Sequence, residues 1–200
     1  MNHGGSPLHR LLRKRRWTRD LAFHAIMPRS RGVVKRLLPH LQEPGRTLDI
    51  GSGSGTVTSL LIDHGLDVFP LDIHNISFSS AVTPTMYDGY RMPFRDNAFG
   101  TSLLVFVLHH TPDPVRLLAE ARRVSRRILV LEDIIVSGVH KVVTAALDSI
   151  LNVEFLNQPH SNKRDGEWRR IFEGLNLRLR DFEYRTFGLA MRHAIYSLEK

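Results

Sequence analysis

The chain has 200 residues, of which 42% are hydrophobic and 24% charged, with 10 prolines, no cysteine and a net charge of +8. That length suits one domain able to bury a full core without covalent staples, and the missing cysteines exclude a disulfide scaffold, a thiolate zinc site and a cysteine nucleophile. The charge is uneven: residues 1–46 hold 11 Lys/Arg against 2 Asp/Glu, whereas the remaining 154 hold 17 against 18, so a basic arm precedes a nearly neutral body.

The densest part of the arm is "RLLRKRRWTRD". It reads as a solvated helix face or as a patch drawn to anionic lipid or nucleic acid. Peripheral contact with an anionic membrane through residues 10–19 is one expectation, and nucleic acid is the less favoured partner. A helix is predicted over Leu8 to Met27, with Thr18, Leu21, Ala22, Ala25 and Ile26 on one stripe and Pro28 closing it. Ser30 then caps a second helix whose apolar face is Val33, Val34, Leu37, Leu38 and Leu41. Residues 1–45 are thus expected to form a basic helical arm or lid, and 46–200 one compact unit. "LAFHAIM" is too short and too polar for a secretory core. No apolar run approaches the ~20 residues of a membrane span. A cytoplasmic location, peripheral to a membrane at most, is expected.

"EPGR" turns the chain into a first strand, Thr47 to Ile50. Val57, Leu60 and Leu61 recur at helical spacing until Gly65 stops them. "DVFPLDI" is a second strand, "HNISFSSAVTPT" holds at most a short or irregular helix, and "TMYDG" is a brief third strand. "TSLLVFVL" is a central strand apolar on both faces. Asp113 and Pro114 form a strong helix start, and "RILVLED" is a fifth strand. Residues 139–151 have helical register, followed by an irregular polar link. Trp168, Ile171, Phe172 and Leu175 mark a helix, and "LRLRDFEY" and "HAIYSLE" form an antiparallel pair through Gly188. The alternation predicts an α/β, Rossmann-like doubly wound sheet, mostly parallel, with a C-terminal antiparallel pair and N-terminal helices in front. Ligands of such sheets bind at the carboxyl ends of the strands.

The stretch "LDIGSGSGTV" carries glycines at 51, 53 and 55. A triphosphate loop requires Gly-Lys-Ser/Thr, and Gly55 is followed by Thr56 and Val57. A dinucleotide fingerprint would put its third glycine at position 56, which is Thr56; that reading is weakened but stays open. Asp49 before the turn, Asp72 at the end of the second strand and Asp88 after the third place three carboxylates around one crevice. They would repel a pyrophosphate. They suit a cofactor that is cationic at a sulfonium and rich in donors.

At this point the chain resembles the class I S-adenosylmethionine-dependent methyltransferases, in particular small bacterial ones related to quinone-biosynthesis enzymes. The matching pieces are "LDIGSGSG", "VFPLDI", "YDGYRMPFRDNAF" and "LLVFVLHHTPDPVRLLAEARRVSRRILVLED", roughly residues 46–133 in family order. The resemblance implies that Gly51, Ser52 and Gly53 approach the methionine part and ribose of S-adenosyl-L-methionine. It further implies that Asp72 takes the ribose hydroxyls, Ile73 packs on the adenine, Asp88 meets the adenine amino group and Gly89 allows close approach. Asp49 would orient the methionine amino group. The chain departs from the family at Gly100, where an aspartate is usual, and in lacking a Pro-Gly-Gly turn before the fifth strand. The family's Asn/Asp-Pro-Pro-Tyr motif for amino-group methylation is replaced by "LHHTPDP".

Methyl transfer needs a general base only if the acceptor must lose a proton. His109 and His110 are the candidates for that role, each with the alternative of packing under the next helix, and His160 is a further candidate to face substrate. No metal site is expected. The leading functional reading is methylation of a small or lipid-like metabolite on oxygen or carbon. The alternatives are a nucleic-acid methyltransferase using the arm, or a non-catalytic cofactor-binding module.

Overall fold

The computed structural model describes residues 15–42, 44–134, 163–187 and 191–200. Seven strands form one sheet: β1 Thr47–Ile50, β2 Val68–Asp72, β3 Thr85–Met86, β4 Phe99–Val105, β5 Ser125–Asp133, β6 Arg178–Phe187 and β7 Met191–Glu199. Their order is β3-β2-β1-β4-β5-β7-β6. The first five pair in parallel, and β7 runs antiparallel to both β5 and β6. Among the described residues the helices are α1 Arg16–Leu37, α2 Thr56–Asp63, α3 Pro114–Val124 and α4 Asp165–Gly174, with 3-10 turns at Leu38–His40 and Leu108–His110.

Alternation along the strands divides the core into two layers. On one face Leu103, Leu129, Leu131 and Ile195 pack with Val33, Val34 and Leu37 of α1 and Leu60 and Leu61 of α2. On the other, Leu48, Ile50, Leu104, Ile128, Val130 and Tyr196 pack with Leu117 and Leu118 of α3 and Trp168 and Phe172 of α4. The strand order reverses at β1/β4, so a crevice opens beyond the carboxyl end of β1, where the glycines lie.

Three expectations change. Over the described part of the arm there is one helix: α1 runs through Pro28, and Ser30 caps nothing. Pro28 removes one hydrogen bond, an interruption worth about 3 kcal/mol in a helix interior. Burial of Ser30, Val33, Val34 and Leu37 against the sheet holds the helix continuous across it. The Ser30 hydroxyl instead donates to Ile26 O (3.3 Å) and pairs with Thr56 Oγ1 (2.7 Å), joining α1 to the start of α2. The segment 75–84 contains no helix; it lies against the glycine turn, with Phe78 N–H donating to Ser54 O at 2.9 Å and both Phe78 and Val82 buried. The fifth strand begins at Ser125, so α3 passes into β5 with no intervening residue. Residues 8–14, the helical register at 139–151, His160 and Gly188 lie outside the described residues.

Gly100 has a packing reason. A Cβ there would sit 3.4 Å from Gly45 Cα and Pro44 O, so the start of β4 runs directly against the turn that precedes β1.

Candidate cofactor site and its surroundings

The glycine turn is shaped by its neighbours. Gly51 and Ser52 both donate their N–H to Leu71 O, at 2.8 and 3.2 Å, which carries the β1–β2 ladder one step past Ile50. Gly51 has φ +72°, and a Cβ would lie 2.6 Å from a Val107 methyl. Gly55 has φ +73°, and a Cβ would meet Ser77 Oγ at 2.5 Å. Gly53 differs: at φ +52°, a Cβ would find only Gly51 O, 3.8 Å away. Two glycines are therefore required by the protein's own packing, and the middle one faces open space. The Ser52 hydroxyl beside it is shielded from solvent and has no hydrogen-bond partner among the described residues. An orphaned donor next to an open backbone is what a close-fitting polar ligand would complete.

The acids lie around this turn. Asp72, 8% exposed, accepts the Gly53 N–H through Oδ2 (2.9 Å) and the His74 N–H through Oδ1 (3.1 Å). Burial raises its pKa, and those backbone donors partly offset the rise. Asp49 is 2% exposed, with the Thr58 hydroxyl donating to Oδ2 at 2.5 Å. Burial pushes its pKa up to about 6; the Thr58 hydrogen bond opposes this and the Asp72 charge adds to it. Asp88 is exposed, and its Oδ1 accepts the N–H groups of Tyr90 (2.8 Å) and Arg91 (3.0 Å), which hold its pKa below the ordinary value. Tyr87 feels both strand-end acids: burial, then the charges of Asp72 and Asp88, push it up to about 12. Ile73 is 49% exposed, and its Cγ2 would be 3.3 Å from a Cβ on Gly89, so the two form one apolar ledge. The structure thus brings Asp49, Ser52, Gly53 and Asp72 together, with Ile73, Asp88 and Gly89 continuing the rim.

At the end of β4 the chain turns sharply. Phe106 has φ +55°, a conformation costly for a bulky residue and typical of functional sites. Its N–H donates to Leu131 O (2.8 Å), its ring meets His193 edge-on at 4.9 Å, and the Arg29 guanidinium lies 5.2 Å over it. The two histidines that follow differ. His109 is fully buried, with Nδ1 2.6 Å from Glu132 Oε2, while Glu132 Oε1 accepts the Leu108 N–H at 2.7 Å. His110 is partly exposed, its ring centroid 4.0 Å from that of His109 with the two planes tilted by 46°.

One cluster had no sequence signal. On the α1 face, Arg36 donates through Nε to Glu183 Oε1 and through Nη1 to His193 Nδ1, both at 3.2 Å. A guanidinium only donates, so this His193 is protonated at Nε2, which lies 3.0 Å from Asp133 Oδ1. His40 approaches Asp181 (3.3 Å) and Glu183 (3.8 Å), and Arg185 also reaches Glu183 (2.8 Å). The network binds α1 to the β7–β6 edge across sequence separations of 147 and 157 residues.

Comparison with known proteins bears on the fold. A family profile described as "Methyltransferase domain" matches residues 48–128. Demethylmenaquinone methyltransferase of Renibacterium salmoninarum is 33% identical over 90 residues, which span 42% of this chain but only 38% of that protein. Among solved structures, a SAM-dependent methyltransferase from Methanosarcina mazei superposes with a TM-score of 0.66 at 17% identity, over 82% of this chain and 96% of that one. Magnesium protoporphyrin IX methyltransferase from Synechocystis, solved with bound S-adenosylhomocysteine, gives 0.61 at 14% identity, over 90% and 84%. The fold is the one these solved methyltransferases share, and the methyltransferase profile covers its part from β1 into β5.

Proposed function

We propose that the chain binds S-adenosyl-L-methionine in the crevice beyond β1 and transfers its methyl group to a small or lipid-like metabolite on oxygen or carbon. The observation that carries this reading is Asp72, buried at the end of β2 and adjoining the open Gly53 and the Ser52 hydroxyl, which has no partner among the described residues. When bound, the cofactor supplies a methyl on a cationic sulfur, which leaves as a neutral thioether. Asp72 would accept the ribose hydroxyls, Ser52 and Gly53 would meet the methionine end, and Ile73 and Gly89 would flank the adenine, with Asp88 at its amino edge. Asp49 would hold the methionine ammonium directly or through water. In such a reaction the protein acts mainly by alignment and water exclusion, effects worth up to ~7–11 kcal/mol.

In this reading His109 is a positioning residue: the Glu132 carboxylate fixes its ring, and it supports the turn at the end of β4. His110, partly exposed and tilted against it, is the candidate base for acceptors that must lose a proton. Titration calorimetry with S-adenosylhomocysteine tests the cofactor reading, with saturable binding expected; no heat and no thermal shift would sink it.

Contact with an anionic membrane is the second part of the proposal. Trp17 and Leu21, one turn apart on α1, are 62% and 64% exposed among Arg15, Arg16 and Arg19. Co-sedimentation with phosphatidylglycerol vesicles but not with phosphatidylcholine ones is the expected result. Equal recovery with both would remove the membrane reading, and salt-sensitive RNA binding instead would favour a nucleic-acid acceptor.

A further inference from the structure

A second concavity lies on the same edge of the sheet as the glycine turn, displaced toward β7 and β6. It has a volume of about 500 Å³ and is lined by Ile134, Arg164, Asp165, Phe182, Tyr184 and Arg192. The register explains how these residues meet. Ile134 follows the last residue of β5, and its N–H donates to Arg192 O at 2.7 Å. On β6, Phe182 lies opposite Tyr196 and Tyr184 opposite Ala194. Tyr196 and Ala194 belong to the α4-side core, so these four side chains share one face of the antiparallel pair. Asp165 opens α4, and Arg164 is its N-cap.

The polar groups are unequally satisfied. Asp165 accepts the Tyr196 hydroxyl at 2.9 Å and both oxygens receive Arg169 Nε, at 2.9 and 3.0 Å. That carboxylate is already neutralised by Arg169 and is not a counter-ion for the cavity. Arg192 donates Nη1 to the Tyr184 hydroxyl (3.1 Å), while its Nε is closed off from solvent with no acceptor among the described residues. A shielded guanidinium N–H with nothing to bond is costly. Around it, Phe182 and Tyr184 stand near-parallel at 6.4 Å, and the Arg169 guanidinium covers the Phe182 ring at 4.6 Å. Tyr184, 41% exposed, still presents a free face.

The cavity is also connected to the end of β4. Glu132, which holds His109, projects to the same side as Ile134 and Tyr196. Its charge is felt at the Tyr196 hydroxyl, which in turn binds Asp165.

We propose that this cavity seats the methyl acceptor and that the acceptor is a small aromatic carboxylate, its ring on Tyr184 and its carboxylate on Arg192, with Arg164 at the mouth. The proposal rests on the methyltransferase reading above. An acid matches the charge of the Arg192 guanidinium, which meets it through the donors that the Tyr184 hydroxyl leaves over, and a flat apolar body matches the walls of Ile134, Phe182 and Tyr184. The volume admits one or two rings. A phosphate or a sugar would leave those walls unused.

Salicylate is a suitable probe, followed by ligand-detected NMR against apo protein and against protein saturated with S-adenosylhomocysteine. Saturable binding is expected, weaker by about tenfold or more for neutral salicylamide and for Arg192→Gln, the loss of one charge-assisted hydrogen bond. Arg164→Gln, on the exposed rim, serves as the variant safe for folding and should weaken salicylate several-fold at low salt and little at high salt. Equal affinity of salicylate and salicylamide, or of the wild type and both variants, overturns the proposal, as does an absence of saturable binding. S-adenosylhomocysteine affinity should be unchanged in both variants. Failure of the wild type to bind S-adenosylhomocysteine would instead strike the cofactor reading and leave the salicylate result on apo protein to stand.

Discussion

Asp49 is a carboxyl enclosed at the end of a strand, and burial pushes its pKa up to about 6 from an ordinary 3.8. The fold therefore favours its protonated form. That contribution is fully present below the unfolded value and is lost as pH rises through about 6. Two pKa units correspond to roughly 3 kcal/mol. Melting curves between pH 4 and 7 should show the wild type losing stability relative to Asp49→Asn across that window; parallel curves would contradict the account. A ligand ammonium beside Asp49 would favour its ionised form, so S-adenosylhomocysteine binding near pH 6 should release protons. Calorimetry in two buffers of different ionisation enthalpy reads that release directly. At Asp72, replacement by Ala removes a charged acceptor of the Gly53 N–H along with the proposed ribose contact. S-adenosylhomocysteine affinity should fall by roughly 10- to 100-fold. Gly51→Ala meets both a methyl of Val107 and an unfavourable φ. It should cost about 2 kcal/mol, of which Val107→Ala restores the steric part alone, measurable as a double-mutant cycle in urea.

At the scale of elements, α1 and the β5–β7 edge show where sequence reading reaches and where it stops. β1, β2 and β4 were legible as short apolar runs between turn residues and the β6–β7 pair by its alternation, and Asp113-Pro114 announced α3 in full: Asp113 Oδ1 accepts the Arg116 N–H at 2.9 Å. The glycines and the strand-end acids were legible because they fall on one local stretch or at a fixed distance from it. Pro28 misled because its cost is local, whereas the burial that overrides it comes from strands far along the chain. The Arg36–His193–Asp133 network and the cavity of Arg192 and Tyr184 were illegible for a related reason, since their members meet only through the β7 pairings. Likewise Phe106 reads as one more apolar strand residue until its φ is seen. Replacing Pro28 with Ala should restore a helix hydrogen bond and raise the melting temperature by a few degrees, on the scale of about 1 kcal/mol. A lower melting temperature would mean that the proline shapes a bend the packing needs.

Across the whole molecule, the electrostatics of the interior and of the arm are separate matters. Arg36 is 7% exposed and is the hinge of the ion network that holds α1 to the far side of the sheet. Arg36→Met leaves His193, Asp133 and Glu183 without their buried cation. It should cost about 3 kcal/mol, read by urea unfolding, with cofactor affinity moving far less than in Asp72→Ala.

The direct passage from Val124 into Ser125 has a consequence for how such a chain can change length. Along β5, Leu129 and Leu131 face α1 while Ile128 and Val130 face α3 and α4. With no loop to absorb it, a single residue inserted at that junction would either extend the helix or slide the strand by one. In the second case each side chain would change faces, turning Glu132 toward α1 and Asp133 toward His109. That junction acts as a ruler. A change of length there should disturb the fold far more than one in the loops at the opposite edge of the sheet, where the glycine turn and the Arg192 cavity lie.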